Sequence, residues 1–437
     1  MRKTVETAPA DVPGPRQRVL WLSTWSFTLL FAVWLMYGVL GVKIRDELPL
    51  TPSQFEWLLA TAILAGSLPR LHFGIWADRY GGRKVMTTLL LLVVAPTLWV
   101  SYASTYGELL LCAAIFGLAG NAFTVGISWN SAWFPDRLRG TALGIFGAGN
   151  VGASLTKFLA PLVLAVIPTT GFAQGIFPGD WRFIPLVYAF LLLLTAAAVW
   201  FAAPHPNRCP SQGRSRKDLY APLQYVRVWR FGFYYVVVFG AYVALAAYLP
   251  QYYVDAYDLT LATAGYLTAL YIFPASLLRP LGGWLSDRYG PRCVTYGVFI
   301  TMTVALTLTC LPNHWYDPGV VGFTALMCIV GCAMGIGKGS VYKYITNYFP
   351  NDVGAVGGMV GMLGALGGFV LPPLFGILGR WLQSPQAAFL ALLVLTLLSL
   401  GWLHGTVLRL KLQQKLQTIH QAIPLPTSRA EVNKASS

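Results

Sequence analysis

Two arginines, Arg70 and Arg279, are the residues whose type and placement point most directly to chemistry. Each lies in an apolar stretch, and each precedes an aspartate by eight positions, Asp78 in one case and Asp287 in the other. At about 1.5 Å of helix rise per residue, that spacing sets both guanidinium groups roughly 12 Å from the helix end that carries the aspartate. Snorkelling does not comfortably cover that depth, so an inward-facing cavity is expected. A guanidinium is permanently charged and offers a rigid fork of N–H donors matched to planar or tetrahedral oxyanions. Two such cations facing one another repel, and no nearby stretch supplies an Asp or Glu that could neutralise both. A transported anion is the simplest partner; backbone carbonyls or a carboxylate elsewhere are the alternative. An intramembrane enzyme is disfavoured, because five scattered histidines form no HExxH or comparable set. No metal or cofactor is expected.

The two arginines belong to a repeat. SLPRLHFGIWADRYGGRK ends at Lys84 and LLRPLGGWLSDRYGPR ends at Arg292, and Arg70/Arg279, Gly74/Gly283, Asp78/Asp287, Gly81/Gly290 and Arg83/Arg292 are each 209 positions apart. A weaker echo joins WFPDRLRGTALGIFGAGN, ending at Asn150, to YFPNDVGAVGGMVGMLGA, ending at Ala365. One offset shared by five residues indicates a duplicated unit.

The elements that must carry these residues are membrane helices. Of 437 residues, 56% are hydrophobic and only 11% charged, less than half the charge density of a soluble domain. A bilayer core of about 30 Å needs roughly 20 apolar residues per helix. About twelve such segments begin near residues 19, 53, 83, 108, 139, 181, 229, 259, 291, 318, 353 and 385. The expected organisation is an N-terminal tail over 1–18, a six-helix bundle over 19–203, a polar linker over 204–228, a second bundle over 229–410 and a tail over 411–437. Arg and Lys collect in alternate loops, at Arg79/Arg83/Lys84, Arg137/Arg139, Arg208 to Lys217 and Arg288/Arg292, and in both tails. The positive-inside rule then places both termini in the cytoplasm, in an inner membrane. The formal net charge of +15 is spread over these loops, which argues against a nucleic-acid surface. The six cysteines imply no disulfide framework. The N-terminus shows no short apolar core followed by a cleavage site, so the first span is expected to stay as an anchor.

The GxxxDRxGxR loop, present in both halves, resembles the signature of the major facilitator superfamily. That resemblance implies an all-α membrane fold of twelve helices in two pseudo-symmetric bundles that rock about a central site. Charge pairs among Asp78, Arg83, Asp287 and Arg292 are then expected to hold one conformation until substrate shifts the balance. The glycine-rich stretches Gly117 to Pro135 and Gly140 to Pro161, with their echo GCAMGIGKGS and GAVGGMVGMLGALGGFVLPP, look like the nitrate signatures of the nitrate/nitrite porter family. Small residues three or four apart also let helices approach closely, leaving a narrow passage. In that family nitrate sits between one arginine of the second span and one of the eighth, which match Arg70 and Arg279. The fifth-span asparagine matches Asn150, which helix rise from Arg139 places near the depth of Arg70. The seventh-span aromatics fall on Tyr235 and Phe239, and a first-span aromatic on Tyr37 or Phe31.

Members of the family either exchange nitrate for nitrite or import nitrate with protons. Arginines do not titrate, so proton coupling needs another group. Lys157, Lys338 and Lys343 lie inside expected spans, and an embedded lysine can gain or lose a proton during a cycle. TKFLAP and GKGSVYKYI look like the symporter branch. The expected function is therefore nitrate/proton symport by a monomer in the lipid bilayer, with nitrate/nitrite antiport as the alternative. His72 follows Arg70 by two residues and should face away from the anion. An organic-phosphate or carboxylate carrier would need a wider cavity, and a sensor a larger cytoplasmic domain.

Overall fold

A computed structural model of the chain describes residues 13–168, 171–172, 177–311, 318–384 and 386–422. They fold into twelve helical rods, half of them interrupted. The first six are α1 (Pro13–Trp34) with α2 (Met36–Glu47), α3 (Pro52–Ala65) with α4 (Arg70–Tyr80), α5 (Gly82–Val100), α6 (Tyr106–Phe116) with α7 (Ala122–Trp133), α8 (Asp136–Gly147) with α9 (Gly152–Val166), and α10 (Phe183–Ala202). A short helix, α11 (Arg216–Tyr220), lies in the linker. The second six are α12 (Val226–Tyr235) with α13 (Ala241–Tyr257), α14 (Leu261–Leu277) with α15 (Arg279–Tyr289), α16 (Pro291–Cys310), α17 (Gly319–Tyr348), α18 (Val353–Leu382) and α19 (Ala387–Ala422). Among the described residues, ten of these rods are long and apolar enough to cross a membrane. Helix begins at Pro13 and ends at Ala422, so it reaches into both segments read as tails; residues 1–12 and 423–437 lie outside the described residues.

Local sequence sets the ends and breaks. Thr51 and Thr105 close capping boxes with Gln54 and Glu108. The signature glycines Gly81 and Gly290 adopt φ of +84° and +82°, a conformation open to glycine but strained for other residues, and turn the chain sharply from α4 into α5 and from α15 into α16. The second and eighth rods break at matching places, so that Arg70 and Arg279 are each the first residue of the helix after the break. The fourth and fifth rods pass through 3-10 turns at Gly117–Asn121 and Ala148–Val151, and the seventh through a π turn at Val236–Gly240. Such departures in mid-helix are frequent at functional sites.

The halves meet through α4 against α18 and α15 against α8. Both contacts are built on glycine. A Cβ on Gly140 would lie 2.6 Å from the Gly283 carbonyl oxygen, and one on Gly358 would lie 2.6 Å from the Arg70 carbonyl oxygen. The glycines of the fifth and eleventh rods thus bring opposite bundles together, in addition to packing neighbours within one bundle.

Candidate functional site

The two helix breaks aim both arginines into the seam between the halves, where each is 1% exposed. Arg70 Nε donates to the Gly66 carbonyl, freed by the break four residues earlier, at 2.8 Å, and its Nη1 donates to the Gly361 carbonyl of the opposite bundle at 3.1 Å. Arg279 repeats the second bond in mirror fashion: its Nη1 donates to the Gly147 carbonyl at 3.4 Å. Its Nη2 donates to the Tyr235 hydroxyl at 3.1 Å, while its Nε is buried without a partner. Among the described residues no carboxylate pairs with either guanidinium. Carbonyls and a hydroxyl thus satisfy part of each fork, and the positive charge stays uncompensated.

Aromatic rings enclose this pair of cations. The Phe123 centroid lies 4.6 Å from the Arg279 guanidinium carbon and 5.9 Å from that of Arg70. Tyr235 runs nearly parallel to Phe123, at 9°, and stacks on Phe239 with centroids 5.1 Å apart. Tyr342 stands edge-on to Phe123 and Tyr235 at 5.1 and 5.0 Å, its hydroxyl donating to the Gly357 carbonyl. Trp34 covers Arg70 at 5.3 Å and anchors its own ring by donating to the Ala62 carbonyl. Asn150 lies in the 3-10 turn one residue past Gly149, 5% exposed, with its Nδ2 unpartnered. Flat walls, two guanidinium groups and unpartnered N–H donors suit a small planar oxyanion.

Of the residues expected from sequence, Arg70, Arg279, Tyr235 and Phe239 come together here. Phe31 and Tyr37 of the first span do not. Phe31 packs edge-on against Phe27 and Trp34, and the Tyr37 hydroxyl donates to the Leu109 carbonyl within its own bundle. Trp34, Phe123 and Tyr342 occupy the arginine surroundings instead.

Nor do the signature aspartates pair with the signature arginines. Asp78 accepts from the backbone N–H groups of Gly354 at 2.8 Å and Ala355 at 3.2 Å, at the start of α18 in the other half, and from the Ser128 hydroxyl at 2.6 Å. Asp287 accepts from the N–H groups of Gly140 at 2.9 Å and Thr141 at 2.7 Å, in the first turns of α8, and from the Thr141 hydroxyl. At Asp78 the donors are free N–H groups of a helix start, which attract a carboxylate more specifically than a flexible side chain does, whereas Gly140 and Thr141 are the fifth and sixth residues of α8. Arg83 turns instead to His205 and the Trp200 carbonyl, and Arg292 is exposed.

The lysines separate in the same way. Lys343 is 3.0 Å from Asp287 and also bonds the Asp136 carbonyl, so it belongs to the clasp between bundles. Lys338 is fully buried with no hydrogen-bond partner, its ammonium 3.4 Å from the Tyr242 centroid and 5.9 Å from that of Phe239. The Lys157 side chain lies outside the described residues. His72 is exposed, edge-on to Tyr220.

Residues 22–372 and 231–426 match the model of the Major Facilitator Superfamily. The fold is similar to the solved transporter FucP in its outward conformation, with a TM-score of 0.70 at 16% identity, covering 88% of this chain and 97% of that one. The "Probable nitrate/nitrite antiporter NarK1" of Thermus thermophilus is 54% identical, covering 95% of this chain and 96% of that protein. The "Probable nitrate/nitrite transporter NarK2" of Mycobacterium tuberculosis is 32% identical, covering 86% and 93%. By these matches the chain belongs to the nitrate/nitrite porter family of the major facilitator superfamily, a family of membrane transporters rather than enzymes.

Proposed function

We propose that this protein carries nitrate across an inner membrane by alternating access, importing it together with protons. The observation that carries the anion reading is the pair of buried guanidinium groups next to Phe123, with no carboxylate paired to either among the described residues. The flat aromatic walls favour a planar anion over a sugar-sized solute. The relatives' names, nitrate/nitrite antiporter and nitrate/nitrite transporter, agree in the substrate. Arg70, Arg279, Tyr235, Phe239 and Asn150 are the binding set. Asp78 and Asp287 act as the gate, joined by Lys343, with the loop face that carries the arginines in the cytoplasm.

Lys338 is the proton carrier in this reading. Its ammonium lacks any acceptor, and Phe239 beside it stacks on the tyrosine that holds Arg279. A proton there adds a charge next to the anion site, and loss of the anion favours loss of the proton. Nitrate/nitrite exchange is the second reading, favoured by the antiporter name of the relative at 54% identity. Labelled nitrate uptake into proteoliposomes distinguishes them. Under an imposed pH gradient without internal nitrite, symport predicts accumulation that Lys338→Met abolishes. Uptake indifferent to the gradient and restored by internal nitrite would replace symport with exchange.

A further inference from the structure

A second group of uncompensated cations lies outside the transport site, at the end of the second bundle that carries the arginine-rich loops. Arg230 stands in the second turn of α12 and is 8% exposed. Its Nη1 donates to the Thr406 hydroxyl of α19 at 2.6 Å, and its Nε is buried with no partner. One turn on, on the same side of the helix, the Tyr234 hydroxyl is also buried without a partner. From α17 the Tyr344 ring stacks on Phe231, the residue after Arg230, with centroids 5.1 Å apart. The Tyr344 hydroxyl is buried and makes no hydrogen bond, while Thr295 of α16 donates to the Pro291 carbonyl. Arg292, at the start of α16, is exposed. Among the described residues no carboxylate pairs with either arginine. Two guanidinium groups and three unpartnered polar atoms are therefore carried by three helices, α12, α16 and α17, that pack on one another. Burying such groups without partners costs free energy that a bound oxyanion would recover.

We infer that this cluster binds the phosphodiester headgroup of an anionic lipid. Its level in the membrane argues for a lipid over a free ion. Trp229 and Tyr289, 47% and 57% exposed, flank the two arginines in sequence, and Trp402 on α19 is 39% exposed one turn before Thr406. Exposed Trp and Tyr mark the headgroup boundary of a membrane protein, and basic pockets between helices at that level hold acidic headgroups. The transport site needs an anion that leaves; this one, with Arg230 buried and Arg292 exposed, suits an anion tethered by its acyl chains.

The test compares purified full-length protein in nanodiscs of phosphatidylcholine with and without phosphatidylglycerol, read by thermal unfolding and by lipid retained in native mass spectrometry. Phosphatidylglycerol should raise the unfolding temperature and remain bound. Arg230→Gln and Arg292→Gln should each weaken retention about fivefold. Tyr344→Phe keeps the ring stacked on Phe231 and tests the site without removing charge; it too should lower retention. An unfolding temperature equal in both lipids, or full retention in Arg292→Gln and Tyr344→Phe, would overturn the inference. So would an equal rise produced by inorganic phosphate in phosphatidylcholine discs, which would make the ligand a free ion.

Discussion

Lys343 offers the sharpest test of how the bundles are held, because sequence places it among proton carriers and the structure places it in the clasp. Replacing it with glutamine removes the ammonium that bridges Asp287 and Asp136. At 3.0 Å and an effective dielectric of about 20, the Lys343–Asp287 attraction is roughly 5.5 kcal/mol before desolvation. Asp136 is 70% exposed and adds little. Asp287 keeps two backbone N–H groups and the Thr141 hydroxyl, so it is not stranded. Breaking a buried pair costs about 3–5 kcal/mol, and the surviving donors reduce this to about 2–4 kcal/mol. Lys343 and Asp287 both belong to the second bundle, so that loss falls on either conformation; only the bond from Lys343 to the Asp136 carbonyl crosses the seam. A charge-assisted hydrogen bond contributes about 1.5–3 kcal/mol, so the equilibrium should shift toward separation at this face by about 10- to 160-fold. Spin labels at positions 137 and 288, in a background with the six cysteines replaced by serine, would read the shift as a long-distance population in pulsed EPR. An unchanged distance distribution together with transport that no longer responds to a pH gradient would refute the clasp and return Lys343 to proton coupling.

Other perturbations separate the remaining parts. Arg70→Lys and Arg279→Lys keep the charge but lose the fork, and each should abolish nitrate uptake while protein still reaches the membrane in normal amount. Near-normal flux in both would remove the anion site. Tyr235→Phe deletes one hydrogen bond to a charged group and should raise KM by about tenfold or more with little effect on thermal unfolding. On the opposite face, a hydrogen bond from Arg182 holds the Glu47 carboxylate below its ordinary 4.5, so its contribution to stability is present at neutral pH and fades as pH falls below about 4.5 through the lowered value. The unfolding temperatures of wild type and Glu47→Gln should therefore differ at pH 7 and converge in acid.

What the sequence shows of this molecule is governed by whether the partner lies nearby in the chain. Arg70 and Arg279 are legible because duplication repeats them at fixed distance from an aspartate, and Gly81 and Gly290 because a turn with positive φ needs glycine. Trp34, Phe123 and Tyr342 are not, since 24 phenylalanines, 22 tyrosines and 15 tryptophans leave nothing in composition to single them out. Span four did carry a usable signal: the small residues of GLAGN give way to Phe123 one turn before Ile127, and a large ring beside a 3-10 turn has space to project. The donors to Asp78 and Asp287 are hidden for a plainer reason. A carboxylate near arginines suggests an ion pair, whereas the N–H groups that win belong to the backbone of the other half, two of them on glycines, Gly140 and Gly354, where a Cβ would meet the carboxylate.

The two clasps also differ in a way that duplication alone does not predict. Around Asp287 the N–H groups of α8 are supplemented by Lys343. Around Asp78 no lysine takes part; the linker reinforces the contact instead. Ser211, fully buried, donates its N–H to the Asp78 carbonyl at 3.0 Å and its hydroxyl to the Asn351 carbonyl at 3.1 Å, so one residue ties α4 to the turn before α18. Arg214 adds an ion pair with Asp352, and Leu219 packs between Ile75 and Ala355. One seam is thus held by a charge internal to the bundles, the other by a segment belonging to neither. Because the linker lies over only one of two pseudo-equivalent contacts, separating the halves at this face requires it to leave one bundle while it stays with the other. Asn207 and Arg208 bond the Tyr80 and Ala132 carbonyls of the first half. The bonds to Asn351 and Asp352 are those that must break, which makes Arg214→Ala a change that weakens the Asp78 seam and leaves the Asp287 seam intact.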